Sequence, residues 1–443
     1  MAERTKKQTG KIPPRTVEMR EASAETDVLV VGGGGREHAI VWALEKSPHV
    51  GKVYGAPGNA GMNVIETGIS ATDIDGIVAF VKAHDNIGLT VVAPDDPLSM
   101  GLVDRLTEAG KRAFGPTKAA AKLEWSKAYA KDFMKKYGIP TADYETFDDA
   151  EKAKAYIRAL DHRVVVKADG LALGKGVLIC ENTADALAAV DEIMTDKKFG
   201  AAGNRLVAER FISGYEVSLL AFADGEHYSL MPTSCDHKRA LDGDKGLNTG
   251  GMGAYSPCPL FGDDLIRKTA RTVVEPTLAG LKAEGAPFKG VLYFGLMVDG
   301  DDVRVLEYNA RFGDPETQSV LPLLNSDLFE IMNATVDGTL DKQDVKWSDK
   351  KSVNVVLASG GYPESYKKGM PISGLETTDG DVNVFFAGVK KDGDGLATNG
   401  GRVLCVQALA DDFKTARETV YRNIEKIKFD GAFCRHDIGK KLL

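Results

Sequence analysis

Four consecutive glycines, Gly32 to Gly35, are the feature of this sequence that most constrains its fold. They follow a short apolar run at Asp27–Val31 and precede apolar residues that recur at helical spacing from Ala39 to Leu44. The order strand, glycine turn, helix indicates a parallel β-sheet, because parallel strands are joined by helical crossovers. Two further strands and a helix continue the pattern, at Val50–Tyr54, Leu89–Ala93 and Ile74–Ala83. Residues 27–125 are therefore predicted to form an open α/β domain that binds its ligand at the carboxyl ends of the strands.

The rest of the chain is predicted to form two further domains, since 443 residues exceed what a single core supports. The segment 126–346 carries two helices, two strands and a hairpin, at Lys127–Tyr137, Thr183–Met194, Val164–Ala168, Leu206–Phe211 and Gly290–Val298 with Val303–Asn309. The segment 347–443 carries three strands and a helix, at Ser352–Ala358, Val382–Val389, Arg402–Ala410 and Asp412–Lys426. Residues 1–26 have mixed charge and little apolar content, so we predict a disordered N-terminal extension.

The composition argues against several classes of protein. A hydrophobic content of 43% and a charged content of 27% are typical of a globular protein. The net charge of −8 argues against nucleic acid as the main partner, and no apolar run is long enough to predict a membrane span. The five cysteines are scattered and form no CxxC pair, which argues against a zinc site or a disulfide framework. We therefore expect a cytoplasmic protein, in a reducing compartment.

A row of polar residues near the end of the second segment predicts a metal and anion site. If Val305–Asn309 is extended, Glu307, Asn309 and the following Arg311 point the same way, because side chains alternate along a strand. Carboxylate and amide oxygens suit Mg²⁺, and a neighbouring arginine can hold an anion in bidentate fashion. The alternative is an edge strand with solvated polar residues.

The glycines at 32–35 are predicted to hold a phosphate. A turn before a helix presents backbone N–H groups that favour an anion. A dinucleotide fingerprint fits poorly, because Glu37 takes the place of its third glycine and no acid follows the second strand. A site for a small sugar phosphate is better supported, and glycines used only for close packing remain the alternative.

A second glycine-rich stretch, Val166–Val177, indicates a nucleotide phosphate site. A strand delivers Lys167, and a loop then carries Lys175 between two glycines. Lys127, on a preceding helix, could add a further cation. The spacing does not satisfy the Walker A pattern, so a glycine-rich hairpin with solvated lysines is the alternative.

Two further stretches add weaker signals. The apolar strand Leu206–Phe211 and its linker could offer backbone groups to an adenine edge, with Glu216 near the ribose, although such a strand is usually only core. The stretch Asp236–Gly253 is too polar and glycine-rich for a core, and long loops of this kind are usually functional or disordered. We interpret it as a lid over a phosphorylated intermediate.

Taken in order, these motifs resemble the phosphoribosylamine–glycine ligase family of ATP-grasp enzymes, also called glycinamide ribonucleotide synthetases. The resemblance extends from Asp27 to Leu443. It is carried by the motifs at 31–38, 114–117, 167–172, 174–177, 236–239, 248–253, 307–318 and 437–439. It implies an α/β fold class: an N-terminal open parallel-sheet (Rossmann-like) domain at 27–125, a central ATP-grasp domain at 126–346 with a mobile subdomain at about 148–218, and a small C-terminal mixed α+β domain at 347–443.

The resemblance also implies roles for individual residues. ATP would be contacted by Lys127, Lys167, Lys175, Glu209, Ile212 and, at the ribose, Glu216. Mg²⁺, or Mn²⁺ in its place, would be bound by Glu307 and Asn309. The catalytic residues would be Arg311, Lys175 and Asn248, with Arg311 steadying the glycine-derived acyl group. The substrates would be bound by Gly33, Gly34, Gly35, Arg36, Asp95, Gly250 and Gly251, with the glycine loop facing the phosphoribosylamine.

Three residues depart from the family pattern: Asp95 stands where glutamate is usual, Arg210 replaces an acid, and Leu173 replaces an alanine. None removes a group that the chemistry needs. The implied reaction is the ATP-dependent joining of glycine to 5-phosphoribosylamine, in purine biosynthesis, by a monomer or homodimer. Another ATP-grasp carboxylate–amine ligase or carboxylase, and a non-catalytic nucleotide-binding module, remain as alternatives.

Overall fold

The structure, a computed structural model, describes residues 25–171 and 176–443. The predicted extension at 1–26 lies outside the described residues except for Glu25 and Thr26, and Thr26 is not part of an extension because it begins the first strand. Of the predicted phosphate loop, residues 172–175 also lie outside, and Lys175 and Leu173 with them.

The N-terminal part is a five-stranded sheet in which every adjacent pair is parallel. In sequence order its strands are Thr26–Gly32, Val50–Pro57, Ile65–Glu66, Ile87–Val92 and Ala113–Phe114, and in space their order is third, second, first, fourth, fifth. Its helices are Gly35–Leu44, Ile74–Ala83, Asp95–Ser99 and Leu102–Glu108. Both faces of the first strand are buried, as expected for a parallel sheet covered by helices. The predicted open α/β domain is confirmed.

Two antiparallel sheets of four strands each form the central part. One contains Tyr144–Phe147, Leu206–Arg210, Val164–Ala168 and Val177–Cys180, side by side in that order. The other contains Tyr228–Leu230, Tyr215–Asp224, Lys289–Asp299 and Asp302–Asn309. The main helices here are Lys122–Trp125, Lys127–Lys136, Ala150–Arg158, Thr183–Val190, Asp263–Thr269, Glu275–Ala283, Glu316–Val320 and Leu328–Asp337. The predicted helix at Thr183–Met194 is shorter than expected, because its last turn is a π-helix at Asp191–Thr195.

A further antiparallel sheet joins the central part to the last hundred residues. Its five strands lie in the order Cys235–Asp236, Gly253–Ser256, Lys351–Ala358, Arg402–Ala410 and Val382–Phe386. The helix Phe413–Ile424 packs against this sheet. The first two strands thus come from the segment before residue 347 and the other three from the segment after it.

Two sequence predictions need correction here. The predicted strand Val382–Val389 is two strands, because the chain turns at Ala387 and Gly388 and continues at Val389–Asp392 in a separate three-stranded sheet with Gly395–Thr398 and Pro371–Ile372. The stretch Asp236–Gly253 is not a plain loop, because it contains an antiparallel hairpin of Arg239–Leu241 and Lys245–Asn248. Across the described ranges, none of the helices combines the length and apolar character needed to span a membrane.

Candidate active site

Charged side chains from several elements converge near the end of the strand Asp302–Asn309. Glu307 and Asn309 lie two residues apart on this strand, and so on the same face. The Nζ atom of Lys238 lies 3.6 Å from Oε1 of Glu307 and 3.0 Å from Oε2 of Glu216. One ammonium group therefore sits between the two carboxylates that the sequence assigned to the metal and to the ribose.

Glu307 is ionised at neutral pH. Burial alone would raise the pKa of its carboxyl group, but the cations around it, Lys238 foremost, together lower this pKa to about 2. The other three cations are Lys167, Lys127 and Arg311. A charged carboxylate beside an amide oxygen is a donor set that fits a hard divalent cation.

Arg311 is held by a largely buried ion pair with Glu124. Its Nη2 atom lies 2.8 Å from Oε1 of Glu124 and 4.0 Å from Oδ2 of Asp95, and it donates to Oδ1 of Asn309 at 3.1 Å. Its Nη1 atom donates to the carbonyl oxygen of Phe312 at 3.2 Å. The buried Nε–H finds no partner among the described residues, so the guanidinium keeps one donor for a bound anion.

Two lysines share the carboxylate of Glu209. Lys167 Nζ lies 2.8 Å from one oxygen and Lys131 Nζ lies 3.0 Å from the other, and all three side chains are buried. Lys167 also donates to the carbonyl oxygen of Leu306 at 3.2 Å, one residue before Glu307. The strand that opens the predicted phosphate loop thus contacts the strand that carries the predicted metal ligands.

The other nucleotide candidates surround this cluster. Lys127 Nζ donates to the carbonyl oxygen of Gly170 at 2.9 Å, and burial lowers the pKa of Lys127 although Glu307 opposes the change. Ile212 is half-buried in the short linker between the strands Leu206–Arg210 and Tyr215–Asp224. Arg210, the departure from the family pattern, is exposed at the end of its strand and leaves Glu209 as the buried acid.

The glycine turn lies at the carboxyl end of the first strand. A Cβ atom at Gly33 would lie 2.2 Å from the carbonyl oxygen of Gly58, so only glycine fits at this close approach of two loops. The backbone N–H of Gly34 donates to Glu37 at 2.7 Å, in a capping arrangement with the helix that starts at Gly35. The backbone N–H of Gly34, which the sequence analysis assigned to a phosphate, therefore already has a partner within the protein.

Arg36 links the glycine turn to the metal strand. Its Nε atom donates to Oε1 of Glu37 at 2.6 Å, and its Nη1 atom donates to the carbonyl oxygen of Phe312 at 3.1 Å. Phe312 also accepts from Arg311, so the two guanidinium groups meet at one carbonyl oxygen. Asp95, at the start of its helix, faces the same pair: the pKa of its carboxyl is lowered because Arg311 and Arg36 outweigh the effect of burial.

The glycines at 250 and 251 are held from the C-terminal side. Arg402 Nη1 donates to the carbonyl oxygens of Gly250 and Asp314, each at 2.8 Å, and Arg402 Nη2 lies 2.9 Å from Oδ2 of Asp314. Gly251 has φ +115°, and a Cβ there would lie 2.3 Å from Pro315. Asn248 ends the second strand of the hairpin, paired with Arg239.

Sequence reasoning missed Glu124, Lys131, Lys238 and Arg402 as site residues. Lys238 lies inside the polar stretch already singled out, and that motif could have identified it. The other three read as ordinary helix or strand residues, because their partners lie far away along the chain.

Solved structures share this architecture. The biotin carboxylase–β,γ-ATP complex from Campylobacter jejuni superposes with a TM-score of 0.69, at 15% identity and over 92% of each chain. Residues 125–317 match the family described as phosphoribosylglycinamide synthetase, ATP-grasp (A) domain. Fold and match together define the class: the chain contains the catalytic domain of an ATP-grasp enzyme, a class that uses ATP and divalent metal ions.

The flanking parts define the family more closely. Residues 26–124 match the N domain and residues 352–441 the C domain of phosphoribosylglycinamide synthetase. The phosphoribosylamine–glycine ligase of Halalkalibacterium halodurans is 49% identical over 419 residues, which cover 94% of this chain and 97% of that protein. The crystal structure of phosphoribosylamine–glycine ligase from Thermotoga maritima is 34% identical, with a TM-score of 0.83 over 93% of this chain and all of that one. The chain belongs to the phosphoribosylglycinamide synthetase family, an ATP-dependent ligase family, which confirms the resemblance and the predicted fold class.

Proposed function

We propose that this chain joins glycine to 5-phosphoribosylamine and uses ATP to do so, giving glycinamide ribonucleotide, ADP and phosphate. The contact that carries this proposal is the hydrogen bond of Lys167 to Leu306, beside Glu307. It supports one shared site for a triphosphate and a metal ion. Family membership supports the particular substrates.

ATP binds between the two four-stranded sheets in this proposal. Its phosphates are contacted by the lysines at 127, 167 and 175, its adenine by the linker at Ile212, and its ribose by Glu216. Glu209 holds Lys167 and Lys131 in place, since it pairs with both ammonium groups.

Glycine's carboxylate is a poor electrophile, because its leaving group would be oxide. Transfer of the γ-phosphoryl group gives glycyl phosphate, from which phosphate can leave. Mg²⁺, or Mn²⁺ in its place, would be held by Glu307 and Asn309 and would neutralise charge on the phosphates. Arg311 holds the acyl group through its unpartnered Nε–H.

Phosphoribosylamine is bound at the glycine turn, Gly33 to Gly35, together with Arg36, Asp95, Gly250 and Gly251. Its amine attacks the acyl carbon, and phosphate leaves. Asn248, at the hairpin base, orients the intermediate. No side-chain nucleophile is needed. The site must exclude water, because acyl phosphates hydrolyse.

The domain limits 27–125, 126–346 and 347–443, the mobile subdomain at about 148–218, a cytoplasmic location and a monomer or homodimer stay predictions. We infer small-molecule partners only.

The test is an assay of ADP release with freshly generated phosphoribosylamine, with glycine present or omitted, and mass detection of glycinamide ribonucleotide. We expect ADP release that depends on both glycine and the amine. Release that requires bicarbonate instead of glycine would favour a carboxylase, and nucleotide binding without release would favour a non-catalytic module.

A further inference from the structure

The hairpin Arg239–Asn248 has little apolar support of its own, since the small Ala240 is the one buried apolar side chain of its strands. Leu241 and Leu247 are 52% and 51% exposed, although they are the large apolar residues of its strands. An isolated two-stranded hairpin is marginally stable in water. The position of this hairpin therefore depends largely on polar contacts.

Those contacts come from the C-terminal tail, residues 435–441. At the hairpin turn, Oδ1 of Asp242 accepts from the backbone N–H of His436 at 2.7 Å, and Gly243 N donates to Oδ2 of Asp437 at 2.8 Å. Asp244 completes the turn in a left-handed conformation, with φ +56°. All three residues of the turn thus contact the tail, since Asp244 pairs with Arg435 and Lys441.

Arg435 is the centre of this attachment. Its side chain is only 1% exposed, and it pairs in bidentate fashion with Asp437, at 2.7 Å from Nε and 2.8 Å from Nη2. Nη2 also donates to Oδ1 of Asp244 at 2.9 Å, and Nη1 donates to the carbonyl oxygen of Arg239 at 3.1 Å. One rigid guanidinium fork therefore connects the start of the first hairpin strand, at Arg239, and the hairpin turn, at Asp244, to the tail.

The tail is itself fixed to the body of the protein. Tyr421, on the helix Phe413–Ile424, donates its hydroxyl to the carbonyl oxygen of Arg435 at 2.7 Å. Arg417, on the same helix, donates to the carbonyl oxygen of Ile438 at 3.0 Å, and Ile438 is fully buried. The tail can therefore act as an anchor for the hairpin.

The hairpin in turn sets the position of Lys238. Arg239, whose carbonyl oxygen Arg435 holds, follows Lys238 directly. The carbonyl oxygen of Lys238 accepts from both the N–H and the hydroxyl of Thr249 at 2.8 Å across the hairpin base. The ammonium group then reaches Glu216 at 3.0 Å and Glu307 at 3.6 Å.

We propose that Arg435 is a positioning residue for the ligation reaction, acting through the hairpin to hold the Lys238 ammonium between Glu216 and Glu307. This inference rests on the proposed function. It assigns a role to a buried arginine in the last ten residues, far from the reacting groups in sequence.

The test compares four variants of the full-length protein. Arg435→Met removes the fork. Asp244→Asn removes only the charge that the fork contacts at the hairpin turn and leaves the contact with the carbonyl oxygen of Arg239, while asparagine still tolerates the left-handed backbone. Lys441→Ala is the matched control, because Lys441 contacts the same Asp244 from solvent, at 3.3 Å and with a side chain 84% exposed. Arg435→Lys keeps the charge and loses the fork.

The first readout is hydrogen exchange over residues 238–249 in the protein without substrates. We expect exchange to rise roughly tenfold or more in Asp244→Asn and Arg435→Met, because a local opening loses a charge-assisted hydrogen bond. We expect no change in Lys441→Ala. Equal exchange in Asp244→Asn and Lys441→Ala would overturn the proposal.

The second readout is kcat, per site that binds ADP, so that unfolded protein does not contribute. We expect kcat to fall by roughly 10²-fold in Arg435→Met, the scale of a small misplacement of a catalytic group, with partial rescue in Arg435→Lys. Faster exchange with kcat unchanged would overturn the positioning role. Wild-type protein inactive with glycine would refute the proposed function instead, and the exchange comparison would still decide whether Arg435 anchors the hairpin.

Discussion

The Arg311 guanidinium, just past the strand that carries Glu307 and Asn309, forms a largely buried ion pair with the Glu124 carboxylate, 2.8 Å between Nη2 and Oε1. The second oxygen of Glu124 accepts from the backbone N–H of Ala310 at 2.7 Å. A single carboxylate from the helix Lys122–Trp125 thereby fixes both the backbone and the arginine next to the proposed metal ligands. Burial raises the pKa of Glu124, and Arg311 opposes this effect.

Glu124→Gln is expected to destabilise the protein by about 3 kcal/mol, because it leaves the Arg311 charge buried without its nearest partner. Urea unfolding measures this change. Asp75→Asn, which breaks the exposed pair with Arg105, is the control and is expected to have a far smaller effect. Equal losses of stability in the two variants would show that the Glu124–Arg311 pair stabilises the protein no more than an exposed ion pair does.

Glu307→Ala is expected to abolish turnover and leave the fold intact, because it removes the charged oxygen donor of the metal site. Mutating a residue that only hydrogen-bonds to a metal ligand typically lowers metal affinity by about 10- to 100-fold. Loss of the ligand Glu307 itself should therefore lower metal affinity by more than that. Mn²⁺ binding followed by electron paramagnetic resonance measures it. Asp302→Ala, an exposed acid on the same strand, is the control. Turnover retained in Glu307→Ala would refute the metal assignment.

Lys167→Met is expected to weaken ATP binding by roughly 10- to 100-fold, the worth of one charge-assisted hydrogen bond. Glu209 keeps its contact with Lys131, so the carboxylate is not left unpaired. Calorimetric titration with a non-hydrolysable ATP analogue measures the affinity. Lys198→Met, which removes an exposed lysine paired with Glu192, should leave the affinity unchanged. A loss of ATP affinity of the same size in both variants would contradict the assignment of Lys167 to the ATP phosphates.

His38→Gln is expected to reduce the loss in the free energy of unfolding that occurs as pH falls below neutral. Burial lowers the pKa of His38 to about 4, and the backbone N–H of Phe386 donates to its Nδ1, a contact that fits the neutral ring. In the unfolded chain His38 binds a proton as pH falls below its ordinary pKa of 6.5, while in the native protein His38 stays neutral until about pH 4. Stability is therefore lost as pH falls through this window.

Urea unfolding between pH 7 and pH 4 gives the free energy of unfolding of wild type and variant at each pH. The difference between their slopes against pH checks this sign. The slope should decrease in His38→Gln but not vanish, since burial also lowers the pKa of His237 to about 4. A variant with an unchanged slope would show that His38 does not contribute to it.

The local elements of the fold could be read from the sequence. Val164–Ala168, Ile74–Ala83 and Arg402–Ala410 have the predicted bounds, because their apolar runs end at clear polar or glycine boundaries. The strand Val382–Val389 was predicted as one because its apolar run is continuous. The break at Gly388 depends on the close approach of Gly400, which local pattern does not encode.

The candidate site likewise contains residues that local sequence predicts and residues that only distant contacts reveal. Glu307 and Asn309 could be predicted because their spacing alone gives them one face of a strand. Lys131 is one lysine among several on its helix, and only the distant Glu209 distinguishes it. Arg402 and Arg435 act on backbone that is 152 and 196 residues away, respectively, so no local spacing could reveal them.

The sheet that takes two strands from before residue 347 and three from after it has a consequence for how this chain can be divided. Gly253–Ser256 pairs on one side with Lys351–Ala358, so a cut between the segments would strip that edge of its hydrogen bonds. The last hundred residues are thus not a detachable module. Two fragments produced separately should regain activity only by reassociating, as a split enzyme does.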